Sequence, residues 1–302
     1  MGTTAITTEA LERAILQTLL YSDLFDYPLT SDEIAHYLIG VPSTADEVRA
    51  CLARTRHLSE RIIEIDSYLA LRGREALIVR RLDRVATSDR LWRRARRFVR
   101  VLRLVPFVRM IAITGALAMN NSGAGDDVDV LIITAPDRVW LTRAFAIALV
   151  YAGKLCGDTL CPNYVISERA LVLERHTLFV AHEFVQMVPM YGRDVYDRMC
   201  AANGWIQSML PNAKPPVGNT PDQPPGLISR TLKRSLERML SSRLGDALET
   251  WEMRRKLRKF QRQLGHPDGD AILDRDHVKG HFDDYGGPVM RRYAERLAQF
   301  ES

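Results

Sequence analysis

No apolar run in these 302 residues approaches the ~20 needed to cross a bilayer. The opening residues, Met1-Gly2-Thr3-Thr4-Ala5-Ile6, lack the basic start and apolar core of a secretory leader. Both absences lead us to expect a cytoplasmic protein with no membrane partner. Cysteine is sparse: Cys51, Cys156, Cys161 and Cys200. Cys156 and Cys161 lie close together, yet no second pair or histidine follows at zinc-site spacing, so all four read as reduced thiols. No internal repeat is present, which excludes solenoids and propellers.

About a quarter of the chain is charged and almost half is apolar, enough to build two or three small domains. The net charge of +5 is mild but unevenly spread. Eight arginines (Arg90, Arg93, Arg94, Arg96, Arg97, Arg100, Arg103 and Arg109) fall in one stretch without an acid, and Arg254-Arg255-Lys256-Leu257-Arg258-Lys259 forms a second. Such clusters can hold phosphates or RNA. Neither interleaves aromatic residues in the pattern that suits base stacking, so the solvated face of an amphipathic helix is the favoured reading.

Residues 1–73 read as one module. Leu11, Ile15, Leu19 and Leu20 recur at helical spacing. Thr30 with Glu33, and Thr44 with Glu47, form capping boxes that open two further helices, separated by Gly40-Val41-Pro42. Ile62 to Leu71 then reads as two short strands around a tight turn. Three helices and a β-hairpin resemble a winged helix-turn-helix. Its second helix would carry Asp46 and Glu47 toward a phosphate-lined groove, so DNA is a possible partner but not a favoured one.

Residues 74–104 read as a basic connecting helix, and 105–210 as a small α/β (α+β) domain of alternating strands and helices. The Pro- and Gly-rich stretch 211–226 is a linker. Residues 227–302 form a helical C-terminal region, ending in a helix from about Tyr285 to Phe300.

The most informative residues lie in the middle domain. The run Ile111-Ala112-Ile113-Thr114 reads as a strand that stops at Gly115, and a second strand reads from Asp127 to Thr134, beginning with carboxylates at alternate positions. Period 2 puts Asp127 and Asp129 on one face, with Val128 and Val130 on the other. Neighbouring carboxylates repel unless a positive charge sits between them, and a hard divalent cation is the usual answer. An exposed acidic turn entering a strand is the simpler alternative for Asp126 and Asp127. Asp129, inside a run that otherwise reads as buried, is harder to explain that way.

This glycine after a strand, followed by a short helix and a strand bearing Asp-x-Asp, resembles the nucleotidyltransferase domain of the DNA polymerase β superfamily. The match covers about a third of the chain. The resemblance implies a small mixed-sheet nucleotidyltransferase core. In it Asp127 and Asp129 would be the catalytic metal ligands, holding Mg²⁺ or Mn²⁺ against a nucleoside triphosphate. Thr114, Gly115 and Ala116 would contact its phosphates. The acceptor hydroxyl would belong to a small molecule, a protein or an RNA. Tyr21 to Thr30, Trp140-Leu141-Thr142-Arg143 and Ala181-His182-Glu183 are also similar to a bacterial group that sets a winged helix ahead of such a domain.

Two departures stand out. Ala116 replaces the usual serine, and the third carboxylate expected from a later strand is missing. Asn163 occupies the place where it would be sought, and it can offer a metal only a neutral carbonyl oxygen. Asp158 and Glu168 flank that strand and would substitute only if its register differs. Arg143 is a candidate phosphate contact, with a plain surface arginine as the equal alternative. His277, His281, Asp283 and Asp284 are a weaker metal-ligand candidate, and His182-Glu183 reads as structural or as a support standing behind the residues that touch a ligand. A catalytically inactive nucleotide-binding regulator, with the winged helix as its output, is the alternative to the enzyme. A scaffold without any ligand is the third.

Overall fold

Thr7 opens the first helix by accepting a hydrogen bond from the Ala10 amide at 3.3 Å. The computed structural model describes residues 7–154, 160–214, 226–261, 272–279 and 285–301. Helix α1 (Thr8–Asp23) buries Ile15, Leu19 and Leu20. After strand β1 (Leu29–Thr30) come α2 (Ser31–His36) and α3 (Ala45–Arg54). Both capping boxes form as the sequence dictates, Thr30 with Glu33 and Thr44 with Glu47. A short α4 (Arg56–Arg61) lies beyond the three helices expected. The hairpin follows as β2 (Ile62–Ile65) and β3 (Tyr68–Leu71). Its turn residues Asp66 and Ser67 are both left-handed, at φ 50° and 68°, as a two-residue hairpin of right-handed twist requires. The three strands pair in the order β1-β3-β2.

Helix α5 (Ala76–Leu102) buries Leu91, Ala95, Val99 and Leu102 along one side. Arg90, Arg93, Arg94, Arg96, Arg97 and Arg100 are exposed on the other. Its basic run is therefore the solvated face of an amphipathic helix. The second sheet contains β4 (Val108–Thr114), β5 (Val128–Thr134), β6 (Leu160–Ser167), β7 (Val188–Tyr191) and β8 (His277–Lys279), in the order β7-β4-β5-β6-β8. Only β5 and β6 pair in parallel. The connections are α6 (Gly115–Ala118), α7 (Val139–Lys154) and α8 (Leu178–Gln186), with α9 (Arg193–Ala202) and α10 (Ile206–Met209) after β7. The chain is mixed α+β.

Two strands escaped the sequence reading. Pro189 sits inside the edge strand β7, where a missing N–H is tolerated. His277, the weaker metal-ligand candidate, begins edge strand β8, and its Nδ1 lies 3.1 Å from Asp274. His281, Asp283 and Asp284 lie outside the described residues, as do Asp158 and most of the linker.

The sheet has a core on each face. Val128, Val130, Ile132, Ile111 and Ile113 pack on one side with Leu91, Val99 and Trp140, from α5 and α7. Met110, Ala112, Leu131 and Ile133 pack on the other with Phe184 and Val185 of α8, in a cluster continuous with Ile15, Leu20 and Leu69 of the N-terminal module. The C-terminal helices α11 (Leu227–Leu240), α12 (Arg243–Gln261) and α13 (Gly286–Glu301) are tied down by polar bonds. Glu249 of α12 accepts the Trp140 and Leu141 amides at 2.9 and 2.7 Å, capping α7 from outside. Lys233 of α11 donates to the Arg103 and Val108 carbonyls. Arg296 of α13 bonds Asp23 of α1, which also takes Arg74.

Candidate functional site

The alternation Val128 buried, Asp129 half-buried, Val130 buried turns Asp129 onto the face of the sheet that carries α8. Across the antiparallel β4–β5 ladder it stands opposite Thr114. The next residue, Gly115, is left-handed at φ +65°, and a Cβ there would lie 2.5 Å from Asp129 Oδ2. Only glycine supplies both the conformation and the space. The carboxylate of Asp129 therefore rests directly over the β4–α6 turn. Thr114, Gly115, Ala116 and Asp129 are brought together as the sequence predicts.

Asp127 lies just ahead of β5 and is exposed, so the strand begins one residue later than the sequence suggested. Asp126 is used locally: its Oδ2 accepts the Gly123 amide at 2.8 Å and holds the loop. The donor chemistry of Asp127 and Asp129, anionic oxygens two residues apart, fits a hard divalent cation. Among the described residues no group of three or more His, Cys, Asp or Glu side chains forms a metal cluster.

The other predicted contacts are placed differently. Asn163 falls where the β5–β6 register slips between Asp129 and Leu131, and its side chain lies outside the described residues. Glu168 sits past the far end of β6 and pairs with Arg198 at 2.7 Å, so it cannot complete a site at the start of β5. Arg143 is on α7, which packs on the opposite face of the sheet, and its charge acts on Lys256 of α12. It is not brought to the Gly115 turn.

A carboxylate on α8 stands closer. Glu183 of α8 shares a cavity of about 310 Å³ with Gly115, Ala116 and Asp126. Glu183 is exposed to solvent, yet its dense surroundings disfavour the charged form and push its carboxyl upward. The Lys279 charge opposes that shift and the Asp129 charge adds to it. Glu183 thus belongs to the same electrostatic neighbourhood as Asp129. The signal available in sequence was a charged residue inside the apolar run Leu178 to Val185.

The cavity lies between the N-terminal module and the sheet domain. Its walls are aromatic: Tyr21, Phe25, Tyr27 and Tyr37 from the module, with Phe179 from α8. Tyr27 donates to the Met119 carbonyl at 2.9 Å, and Arg84 of α5 donates to Asn121 at 3.0 Å, fixing the loop after α6 against the module. Burial keeps the phenols of Tyr21, Tyr27 and Tyr37 protonated well above the usual tyrosine range. His182, in contact with both Tyr21 and Tyr37, is buried. Desolvation, with a smaller push from His36, lowers its pKa to about 3, so its imidazole is neutral.

No family model, curated protein or solved structure matches the chain. No helix among the described residues is long and apolar enough to cross a membrane.

Proposed function

We propose that the chain is a nucleotidyltransferase that moves a nucleoside monophosphate from a triphosphate to an acceptor hydroxyl. The observation that carries this reading is the seating of the Asp129 carboxylate over the side-chain-free Gly115 turn, at the edge of a cavity large enough for a small ligand. The order β4–α6–β5, with antiparallel strands around a four-residue helix, supports a nucleotidyltransferase core. The order helix, strand, three helices and two strands in the N-terminal module supports a winged helix.

Asp127 and Asp129 would hold Mg²⁺ or Mn²⁺, which when bound neutralises phosphate charge and polarises the reacting oxygens. Thr114, Gly115 and Ala116 would bring backbone against the phosphates. Glu183 would supply the carboxylate that β6 lacks, and Arg84 a guanidinium at the cavity wall. In the reaction the acceptor oxygen bonds to the α-phosphorus and the bond from that phosphorus to the pyrophosphate oxygen breaks. The hydroxyl proton leaves to a carboxylate or to water.

The test is incubation with each labelled ribonucleoside triphosphate, Mg²⁺ or Mn²⁺, and a lysate fraction. Label moves to an acceptor and pyrophosphate is released, and both fall at least a hundredfold in Asp127→Ala and in Asp129→Ala. Full activity in either variant would reject the assignment.

A second reading, an inactive nucleotide-binding regulator, is favoured by the module forming half of the cavity wall, which would let a ligand bias the module. It predicts triphosphate binding without pyrophosphate release. DNA is not the favoured output, because Arg49 on α3 is already paired with Asp32 and Asp46 at 2.6 Å each.

A further inference from the structure

The cavity between the module and the sheet domain has a composition of its own. Five aromatic side chains wall it, Leu29, Ala116 and Met119 add apolar surface, and the charged groups Arg84, Asp126 and Glu183 also border it. Anionic ligands find few cations there. Planar rings find faces to stack on, which favours offset or edge contacts at ring separations of about 4.5–7 Å. Phe25, Tyr293 and His182 each pack against Tyr21, with centroids 4.1–5.5 Å apart.

A second, independent observation also points to a ligand. His182 lines the cavity, is 4% exposed, and its Nδ1 is buried without a hydrogen-bond partner. Unpartnered buried polar atoms are uncommon, because each forfeits its hydration without a replacement hydrogen bond. The ring is not held as a cation for any neighbouring acid. It is a neutral polar group in an aromatic wall, and a partner for it is missing from the protein's own side chains.

We propose that this cavity is a binding site for an uncharged planar small molecule of one or two rings that carries a hydroxyl and stacks among Tyr21, Tyr37, Phe25 and Phe179 beside His182. On the transferase reading, on which its role rests, the occupant is the acceptor. The cavity runs to Gly115 and Ala116, so a hydroxyl at that end meets the Asp129 turn. Its oxygen gains the phosphoryl bond as pyrophosphate leaves, and its proton passes to water or a carboxylate. Among acceptors a small molecule suits the cavity best, because about 310 Å³ takes one or two rings.

The experiment is saturation-transfer NMR on the full chain, without metal or triphosphate, using adenosine and phenol as planar probes and glucose as a non-planar one. Adenosine or phenol shows saturable binding and glucose shows none. His182→Phe, which keeps the stacking but removes the polar edge, weakens the planar probe at least tenfold. Phe25→Ala, at a partly exposed position that tolerates truncation, does the same. The inference is overturned if no planar probe binds, if glucose binds equally well, or if neither substitution alters binding. Adding labelled triphosphate and Mg²⁺ separates the two readings. Planar binding without any label transfer removes the transferase and leaves the cavity; label transfer without planar binding does the reverse.

Discussion

Gly115 is where conformation and chemistry meet most sharply. In Gly115→Ala the new Cβ collides with a terminal carboxylate oxygen, which can rotate away, so the clash itself is mild. The positive φ cannot be relieved so easily, and we expect a loss of about 1–2 kcal/mol in urea unfolding. Label transfer should fall far more than stability, because Asp129 is displaced. Equal proportional losses would argue against a functional seat. His182 gives a second prediction at this scale. Its folded pKa, about 3, lies below the unfolded 6.5, so its neutral burial stabilises fully above pH 6.5. That contribution is lost as pH falls from 6.5 toward 3, amounting to about 2 kcal/mol at pH 5 for one proton. Urea unfolding at pH 7 and pH 5 should show this slope, and His182→Phe should flatten it. Asp129 was legible in the sequence because a lone acid interrupts a buried strand. Glu183 was not, because an acid on an amphipathic helix is ordinary until the fold shows which face it uses.

Capping and alternation made most elements readable in advance. The two Thr–Glu boxes, the Asp66-Ser67 turn and the apolar stripe of α5 are local signals, written within a few residues of where they act. Strands β7 and β8 are different: four and three residues long, they exist because β4 and β6 offer them open edges, and no local propensity announces that. The cap on α7 is equally non-local. Glu249 reaches across from α12 to the Trp140 and Leu141 amides, so Glu249→Ala strips two buried donors of their charged acceptor. We expect it to lower stability by about 2–3 kcal/mol. Circular dichroism melting would check it, and an unchanged midpoint would mean that water replaces the carboxylate.

Across the whole chain, the N-terminal module does not stand apart. Its apolar residues share one continuous cluster with α8, α9 and the sheet, and Asp23 is held by arginines from residues 74 and 296 at once. Calorimetry should therefore show a single transition whose van't Hoff and calorimetric enthalpies agree; two resolved peaks would mean independent folding units. The sequence suggested separable domains because composition marks linkers and helices but not the surfaces they share. Strand β8 carries a last consequence. It brings Lys279, whose charge acts on Glu183, to the rim of a sheet whose other strands are complete by residue 191. During synthesis that lysine emerges after all of those strands, so a chain grown only through β7 carries the aspartates and the glycine turn but lacks the cation that steadies the neighbouring acid. The electrostatic balance of the site is thus finished only once β8 has joined the sheet.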